Sequence, residues 1–316
     1  MRLNRRFAVA GLAGVALAGV GAVVWKGTGG QGAARAQALY ATPLQAPEGG
    51  LATYHLGHSL VGRDMPAMLA QLAGGAHSYH SQLGWGTSLK EHWEPDLAIN
   101  GFEAENAHDH FRPARKALKS GAYDAIVLTE MVEIRDAIRY HDSAGYLAKW
   151  AGLAQNANPT ARIYLYETWH HTDDKAGWLA RVDGDLAQHW RGRVMEPAMG
   201  QTDAAIHLIP AGQVMAAFVR KVQAAGGIGG IKTLSDLFAV GEDGSKDTIH
   251  FNDLGAYLVA LTHYAVLYHR TPVGLPHALL RADGTPATAP SPEAARAMQE
   301  TVWDTVRQHP ATGVAP

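Results

Sequence analysis

Cysteine is absent from this chain of 316 residues. Its absence excludes disulfides, thiolate metal sites and a cysteine nucleophile, but it does not indicate a redox compartment. A surplus of charge of one sign is also missing, because 27 Lys and Arg stand against 29 Asp and Glu, for a formal net charge of −2. The basic residues are scattered rather than clustered, so we expect no nucleic-acid partner.

Two catalytic signatures are missing as well. A nucleophile elbow of the Gly-x-Ser-x-Gly type around Ser59 would need a glycine at position 61, where the chain has Val61. The His-Glu-x-x-His helix motif of metalloproteases is not present either.

Histidine, by contrast, is abundant, with 17 residues. Three groups of potential metal ligands make a metal-binding periplasmic protein an alternative. They are His77 with His80, His108 with His110, and His170 and His171 with Asp173 and Asp174. Because these groups lie on separate segments, we interpret them as surface histidines and expect no metal and no cofactor.

The N-terminus has the pattern of an export signal. Arg2, Arg5 and Arg6 precede an uncharged run, rich in Ala, Gly and Val, from Phe7 to Trp25. Small residues at 34–38 offer cleavage sites, so we expect cleavage rather than a membrane anchor formed by residues 7–25. We therefore predict an export signal or anchor at residues 1–38, a linker outside the fold at 39–50, and a periplasmic or other extracytoplasmic location.

The rest of the chain has the composition of one globular domain. With 47% hydrophobic residues, it is long enough for a single large core. Strand-like apolar runs alternate with segments of helical periodicity, which predicts an α/β fold with a parallel sheet covered on both faces. We place a catalytic domain at residues 51–275, followed at 276–316 by a spacer and a peripheral helix from Pro292 to Gln308.

Two short motifs carry the predicted chemistry. Ser59 follows the first strand-like run, which is where an α/β protein presents a nucleophile; the alternative is an ordinary turn in which Ser59 caps the next helix. Near the other end, Asp247 and His250 stand just before an amphipathic helix. Serine needs an imidazole to take its proton, and the imidazole needs a carboxylate to orient it. Together the motifs predict Ser59 as nucleophile, His250 as base and Asp247 as orienting carboxylate.

With Gly57-His58-Ser59-Leu60 and Asp247-x-x-His250, the chain resembles the SGNH, or GDSL-type, hydrolases, which are α/β serine esterases. The resemblance implies a three-layer α/β/α sandwich with a five-stranded parallel sheet of flavodoxin-like order. It also implies an oxyanion hole that includes the Ser59 N–H and a glycine N–H. Gly86 matches that glycine best, with Gly84 as the competing alignment.

The family's asparagine-bearing block after the third strand has no counterpart here. The strand ends instead at Thr129 and Glu130. We expect a backbone N–H or the Thr129 hydroxyl to replace the missing donor. Ionised Glu130 can only accept hydrogen bonds, so we expect it to bind the substrate's hydroxyl groups or His58; the alternatives are a structural ion-pair partner and, for a protonated Glu130, direct contact with the oxyanion.

Tryptophans near the strand ends can stack on sugar rings. Together with Trp85 and Trp169, His58 and Glu130 complete the predicted substrate-binding residues. The predicted function is a serine esterase that cleaves acyl esters, with acetyl as the expected acyl group, on a polysaccharide or another envelope glycan. The alternatives are an O-acyltransferase with the same triad and a non-hydrolytic glycan-binding or metal-binding periplasmic protein.

Overall fold

A computed structural model describes residues 30–241 and 243–316 of the chain. Most of the predicted export signal, residues 1–29, therefore lies outside the described residues. Within the described ranges, none of the helices combines the length and the apolar character needed to cross a bilayer.

A five-stranded parallel sheet forms the centre of the molecule, and its strands are β1 (Ala52–His58), β2 (Ser78–Gly84), β3 (Ala125–Leu128), β4 (Arg162–Glu167) and β5 (Ile206–Pro210). Their spatial order is β2-β1-β3-β4-β5, and all four pairings are parallel. All four residues of β3 are buried, as expected for a strand covered on both faces. The order is that of flavodoxin-like sheets and confirms the predicted fold class.

Helices cover both faces of the sheet. One face packs on α2 (Asp64–Ala73), α8 (Trp178–Asp185), α10 (Ala211–Ala225), α11 (Asp253–Tyr268) and α12 (Pro292–Gln308). The other face packs on α3 (Leu89–Trp93), α5 (Ala114–Lys119), α6 (Ile134–Tyr140), α7 (Ser143–Ala157), α9 (Glu196–Met199) and the π-helix Leu186–Met195. Strand side chains alternate between the two cores: Val127 faces the first, whereas Ile126 and Leu128 face the second.

The end of the predicted export signal and the start of the predicted linker both pack against the fold. Residues 30–39 form α1, in which Arg35 donates hydrogen bonds to the carbonyls of Met199, Thr202 and Asp203. In the predicted linker, the Tyr40 hydroxyl donates to the Ile206 carbonyl at 2.6 Å, so this segment does not lie outside the fold. Glycine allows the close approach of α1: a Cβ on Gly32 would lie 1.8 Å from the Glu196 carbonyl oxygen.

The C-terminal helix α12 is present as predicted, but it is not peripheral. Its residues Met298 and Val302 are fully buried in the core shared with α10 and α11. The Gln299 amide donates to the Tyr257 hydroxyl at 2.8 Å, and its oxygen accepts from the Gly274 N–H at 2.9 Å. The region after residue 275 is thus part of the same core, because α12 has an apolar face that only packing can remove from water.

Two remaining elements lie near the catalytic motifs. The helix α4 (Phe102–Asn106) contacts the edge strand β2, and the chain between α4 and α5 contains His108 and His110. An antiparallel hairpin of β6 (Phe238–Val240) and β7 (Lys246–Phe251) precedes α11.

Candidate active site

Ser59 stands at the carboxyl end of β1, which lies between β2 and β3 in the sheet. The Val61 N–H donates to the His58 carbonyl at 2.8 Å and closes the turn that presents Ser59. Only glycine fits at position 57, just before this turn. A Cβ there would lie 2.4 Å from the Cγ2 atom of Thr129, the residue that follows β3. Ser59 does not cap α2: the N-cap is Arg63, and no side chain caps that helix.

Asp247 and His250 lie on β7, the strand just before the amphipathic helix α11. The strand leads into α11 through Asn252, whose side-chain oxygen accepts from the N–H groups of Leu254 at 2.9 Å and Gly255 at 3.2 Å. This N-cap fixes where β7 ends and the helix begins.

A continuous chain of hydrogen bonds joins the three predicted catalytic side chains. The Ser59 Oγ atom lies 2.9 Å from His250 Nε2, and His250 Nδ1 lies 2.8 Å from Asp247 Oδ2. The other carboxylate oxygen, Asp247 Oδ1, accepts from the N–H groups of Ile249 at 2.8 Å and His250 at 2.9 Å. The sequence prediction therefore brings these three residues together correctly.

The electrostatics of Asp247 suit an orienting carboxylate. Partial burial raises its pKa, but the hydrogen bonds from the His250 and Ile249 N–H groups and from the His250 ring outweigh burial and hold the pKa below its ordinary value. An ionised Asp247 accepts a hydrogen bond from the N–H at His250 Nδ1, which leaves the lone pair of Nε2 facing the Ser59 hydroxyl.

The two residues predicted to supply backbone N–H donors, Ser59 and Gly86, line the same cavity. Gly86 has a φ of +57°, the left-handed conformation that favours glycine, and lines a cavity of about 500 Å³ together with Ser59 and His250. Within the described ranges, neither the Ser59 N–H nor the Gly86 N–H donates to a protein acceptor. Gly84 is the last residue of β2, paired with His58, and does not line the cavity. The geometry therefore favours Gly86.

Thr129 does not supply the third donor. Its side chain is fully buried, and its hydroxyl donates to the Tyr166 carbonyl at 2.7 Å. This contact joins the ends of β3 and β4, so the hydroxyl proton is used within the sheet.

His58 lines the 500 Å³ cavity, whereas Glu130 lines neither cavity beside Ser59, and the side chains of both residues are held by backbone groups. His58 Nε2 lies 2.8 Å from the Glu130 carbonyl and Nδ1 accepts from the Leu60 N–H at 3.3 Å; burial lowers the pKa of His58 to about 4. Glu130 is 0% exposed, and its Oε1 accepts from the N–H groups of Met131 at 2.8 Å and Leu89 at 3.2 Å. Burial raises the pKa of Glu130 to about 7. Contact of His58 with substrate stays a prediction, and Glu130 contacts His58 through its carbonyl, as one of the two predicted roles requires.

The two predicted tryptophans have opposite placements. Trp169 is only 3% exposed, and its indole N–H donates to the Ile249 carbonyl at 2.9 Å, so it supports β7 and does not bind substrate. Trp85 is 54% exposed at the cavity, with its indole N–H 2.7 Å from Glu105 Oε1. Its ring lies against Gly101, where a Cβ would come within 2.2 Å of it. Trp85 is the tryptophan that a ligand can reach.

A second cavity of about 640 Å³ adjoins Ser59 on its other side. Its walls are mostly polar or charged, and include Arg63, Asp64, Glu105, His108 and Asp283. The first cavity is lined instead by apolar Leu60, Val132 and Ile249 along with His171, whose Nδ1 lies 2.7 Å from the Thr248 hydroxyl. Sequence reasoning missed Glu105 and Val132 as lining residues. The position of His171 just after β4 could have predicted its place at the cavity, because ligands bind at the carboxyl ends of parallel strands.

Two of the three histidine groups of the metal-binding alternative approach each other, with the ring centroids of His80 and His110 6.4 Å apart. In the part of the chain that the structure describes, no three His, Asp or Glu side chains are grouped so that they could hold a metal ion.

The buried histidines predict a loss of stability in acid. His58, His92 and His263 are fully buried, and burial lowers the pKa of each to about 4. An unfolded histidine has a pKa of about 6.5. Between these values the unfolded state binds more protons, so the free energy of unfolding should fall by about 1.4 kcal/mol per pH unit for each histidine as the pH drops.

Urea unfolding between pH 8 and pH 4 measures this effect. Stability should be greatest near pH 6.5, because above that pH the histidines are neutral in both states, while the raised pKa values of buried Glu130, about 7, and Glu167, about 8, make stability fall as the pH rises. The slope below pH 6.5 should be smaller in His263→Asn than in the wild type. A free energy of unfolding that does not change between pH 6.5 and pH 4 would contradict the prediction.

Comparisons with known proteins bear on the fold. No protein-family model matches the sequence, and no curated protein matches it. Among solved structures, a DUF4886 family protein from Bacteroides uniformis has a TM-score of 0.53 at 15% identity, covering 81% of this chain and 95% of that one. A provisionally assigned GDSL-like lipase from Parabacteroides merdae gives a TM-score of 0.42 at 13% identity, covering 72% and 99%. The similarity to the Bacteroides uniformis protein shows that this chain shares its fold.

Proposed function

We propose that the protein is a serine esterase of the SGNH type, which cleaves acyl esters through an acyl-enzyme on Ser59. One observation carries the proposal: the hydrogen-bonded chain from Asp247 through His250 to Ser59, with spacings of 2.8 Å and 2.9 Å. This arrangement has the geometry that activates a serine hydroxyl at neutral pH.

In the first half-reaction, His250 Nε2 takes the proton of the Ser59 hydroxyl while Oγ attacks the ester carbonyl carbon. The carbonyl oxygen becomes an oxyanion, and the N–H groups of Ser59 and Gly86 are its proposed donors; removing one such donor costs about 3 to 4 kcal/mol in a comparable hole. The carbon–oxygen bond to the alcohol then breaks, and His250 gives its proton to the departing alcohol.

In the second half-reaction, water replaces the alcohol. His250 takes a proton from the water as its oxygen attacks the acyl carbon, and the bond to Ser59 Oγ breaks. Ser59 recovers its proton from His250, and the carboxylic acid leaves. Throughout, ionised Asp247 stabilises the imidazolium and keeps its orientation.

The two cavities beside Ser59 support a polar alcohol and a small acyl group. The 640 Å³ cavity has charged side chains that can bind hydroxyl groups, which suits a sugar. Exposed Trp85 lines the 500 Å³ cavity, and Glu105, which accepts from its indole N–H, lines both cavities, so a sugar ring placed between the two cavities can stack on Trp85. We propose an acylated glycan as substrate, with acetyl as the acyl group, in the apolar cavity near Leu60 and Val132.

Acetate release by the purified full-length protein tests the proposal. We expect turnover of 4-nitrophenyl acetate and of acetylated oligosaccharides, and loss of both in Ser59→Ala. Adding an unacetylated oligosaccharide distinguishes the O-acyltransferase alternative, which would move acetyl to the acceptor faster than to water. Absence of both reactions across a panel of acyl esters would contradict the esterase and favour a non-hydrolytic glycan-binding protein.

We further propose that residues 1–38 direct export. The proposal is supported by the sequence, in which basic residues, an apolar run and small residues follow one another in the order typical of an export signal. Cell fractionation with sequencing of the mature N-terminus should find the protein outside the cytoplasm. A membrane-bound protein that begins at Met1 would indicate an anchor, and a cytoplasmic one would contradict export.

A further inference from the structure

Three segments surround Ser59: the turn that contains His58, the turn after β2 that contains Gly86, and the segment after β3 that contains Val132. Glu130 makes a hydrogen bond to each of these segments. We propose that Glu130 is a positioning residue, whose carboxylate holds the Gly86 turn and the Val132 segment in place around Ser59. The proposal rests on the proposed esterase function and adds to it a residue that never touches the substrate.

Glu130 is hydrogen-bonded to the Gly86 turn at Leu89, where the turn ends and α3 begins. Leu89 is the first residue of α3, separated from Gly86 only by Thr87 and Ser88. Its N–H donates to Glu130 Oε1 at 3.2 Å, and its carbonyl accepts from the Trp150 indole at 3.0 Å. A reciprocal capping box between Ser88 and Glu91 stiffens the same residues. Both the N–H and the carbonyl of Leu89 are therefore hydrogen-bonded, and these two bonds fix the end of the turn that contains the Gly86 N–H.

The other two bonds fix the opposite walls. The same Glu130 Oε1 accepts from the Met131 N–H at 2.8 Å, which sets the direction in which the chain leaves β3 towards Val132. The Glu130 carbonyl lies 2.8 Å from His58 Nε2, one residue before the nucleophile. One fully buried residue thus connects the nucleophile turn, the proposed oxyanion donor and a wall of the acyl cavity.

An apolar side chain at position 130 would leave two buried N–H groups without an acceptor. Such groups are costly to bury unpaired, so the two segments would shift to find other partners. A displaced Gly86 N–H would stabilise the oxyanion less well, and loss of a single donor of this kind lowers kcat by about 10² to 10³. Glutamine keeps a carbonyl oxygen in the same place and should preserve the arrangement.

The chain offers a matched control at the end of the neighbouring strand. Glu167 is equally buried at the end of β4, and its Oε2 accepts from the N–H groups of Gly212 at 2.8 Å and Gln213 at 3.2 Å. These donors begin α10 and do not line either cavity beside Ser59. Glu167→Met should therefore cost stability in the same way as Glu130→Met without moving the Gly86 turn.

The experiment compares Glu130→Met, Glu130→Gln and Glu167→Met in the full-length protein. With 4-nitrophenyl acetate, Glu130→Met should lower kcat at least tenfold with little change in KM. Glu130→Gln should recover most of that loss, and Glu167→Met should keep kcat within about twofold at a temperature where it is folded. Hydrogen exchange should become faster in peptides covering residues 85–89 and 131–133 of Glu130→Met only.

A second variant covers the case in which Glu130→Met does not fold. Leu89→Pro removes the donor of the 3.2 Å bond at the first position of a helix, where proline is tolerated, and should also lower kcat. Unchanged kcat in folded Glu130→Met, or an equal loss in Glu167→Met, would overturn the proposal. An inactive wild type would contradict the esterase instead, while faster exchange at residues 85–89 in Glu130→Met would still support the positioning role.

Discussion

Ser59→Ala and His250→Ala will each lower kcat for ester hydrolysis by about 10⁶, the size of effect seen when either partner of such a pair is removed. Ser59 Oγ is the atom that forms the acyl-enzyme, and His250 Nε2, 2.9 Å away, is the base in its reach. The fold should persist: Ser59 is half-buried, and the His250 side chain is 45% exposed, so neither truncation leaves a large internal cavity.

The two losses should not add. Because the nucleophile and the base act as one unit, the double variant should be no slower than either single variant. Ser120→Ala and His80→Ala are matched controls: Ser120 donates to the Ala117 carbonyl at the end of α5, and His80 lies on β2 beside Tyr123. A Ser59 or His250 variant that retains more than a few per cent of wild-type turnover would remove that residue from the mechanism.

Asp247→Asn should lower kcat by about 10⁴, as the equivalent change does in a serine protease. The structure supplies the reason. Asp247 Oδ1 is held by the N–H groups of Ile249 and His250, so an asparagine would keep its oxygen there and turn its NH₂ group towards His250 Nδ1. His250 would then carry its proton on Nε2, where it cannot take the proton of Ser59.

Steady-state kinetics with 4-nitrophenyl acetate measures this effect, and a charge-matched control lies on the same hairpin. Asp243 is exposed in the β6–β7 turn, where its Oδ1 accepts from the Ser245 N–H at 2.9 Å. Asp243→Asn should leave kcat unchanged. A near-normal rate in Asp247→Asn would mean that another carboxylate orients His250.

The sheet and the triad were predictable because their signals are local. β3 is a short apolar run, β2 alternates, and segments of helical periodicity separate the strands, so neighbouring residues are enough to reveal the pattern. Asp247 and His250 stand three residues apart just before a helix, so their approach to each other needs no long-range information. Ser59 follows an inner strand of the sheet, at the edge where the carboxyl ends of all the parallel strands lie.

The surroundings of the triad were less predictable, since they depend on contacts between distant residues. Thr129, Glu130 and Trp169 all follow strands, as ligand-binding residues often do. Their side chains turn inward because each finds a buried backbone partner, such as Tyr166 for Thr129 and Ile249 for Trp169. Nothing next to these residues in the sequence distinguishes them from exposed Trp85.

By itself, the amino-acid sequence determined the α/β class and the three residues of the proposed triad, because strand and helix periodicity and short catalytic motifs are properties of adjacent residues. Only the tertiary structure decided which polar side chains line the cavities, that β7 is a strand, and that α1 and α12 belong to the core. The physical reason is that a buried polar group must find a partner wherever one is available. For Glu130 those partners lie 72 residues away at His58 and 41 residues away at Leu89, a pairing that no local pattern encodes.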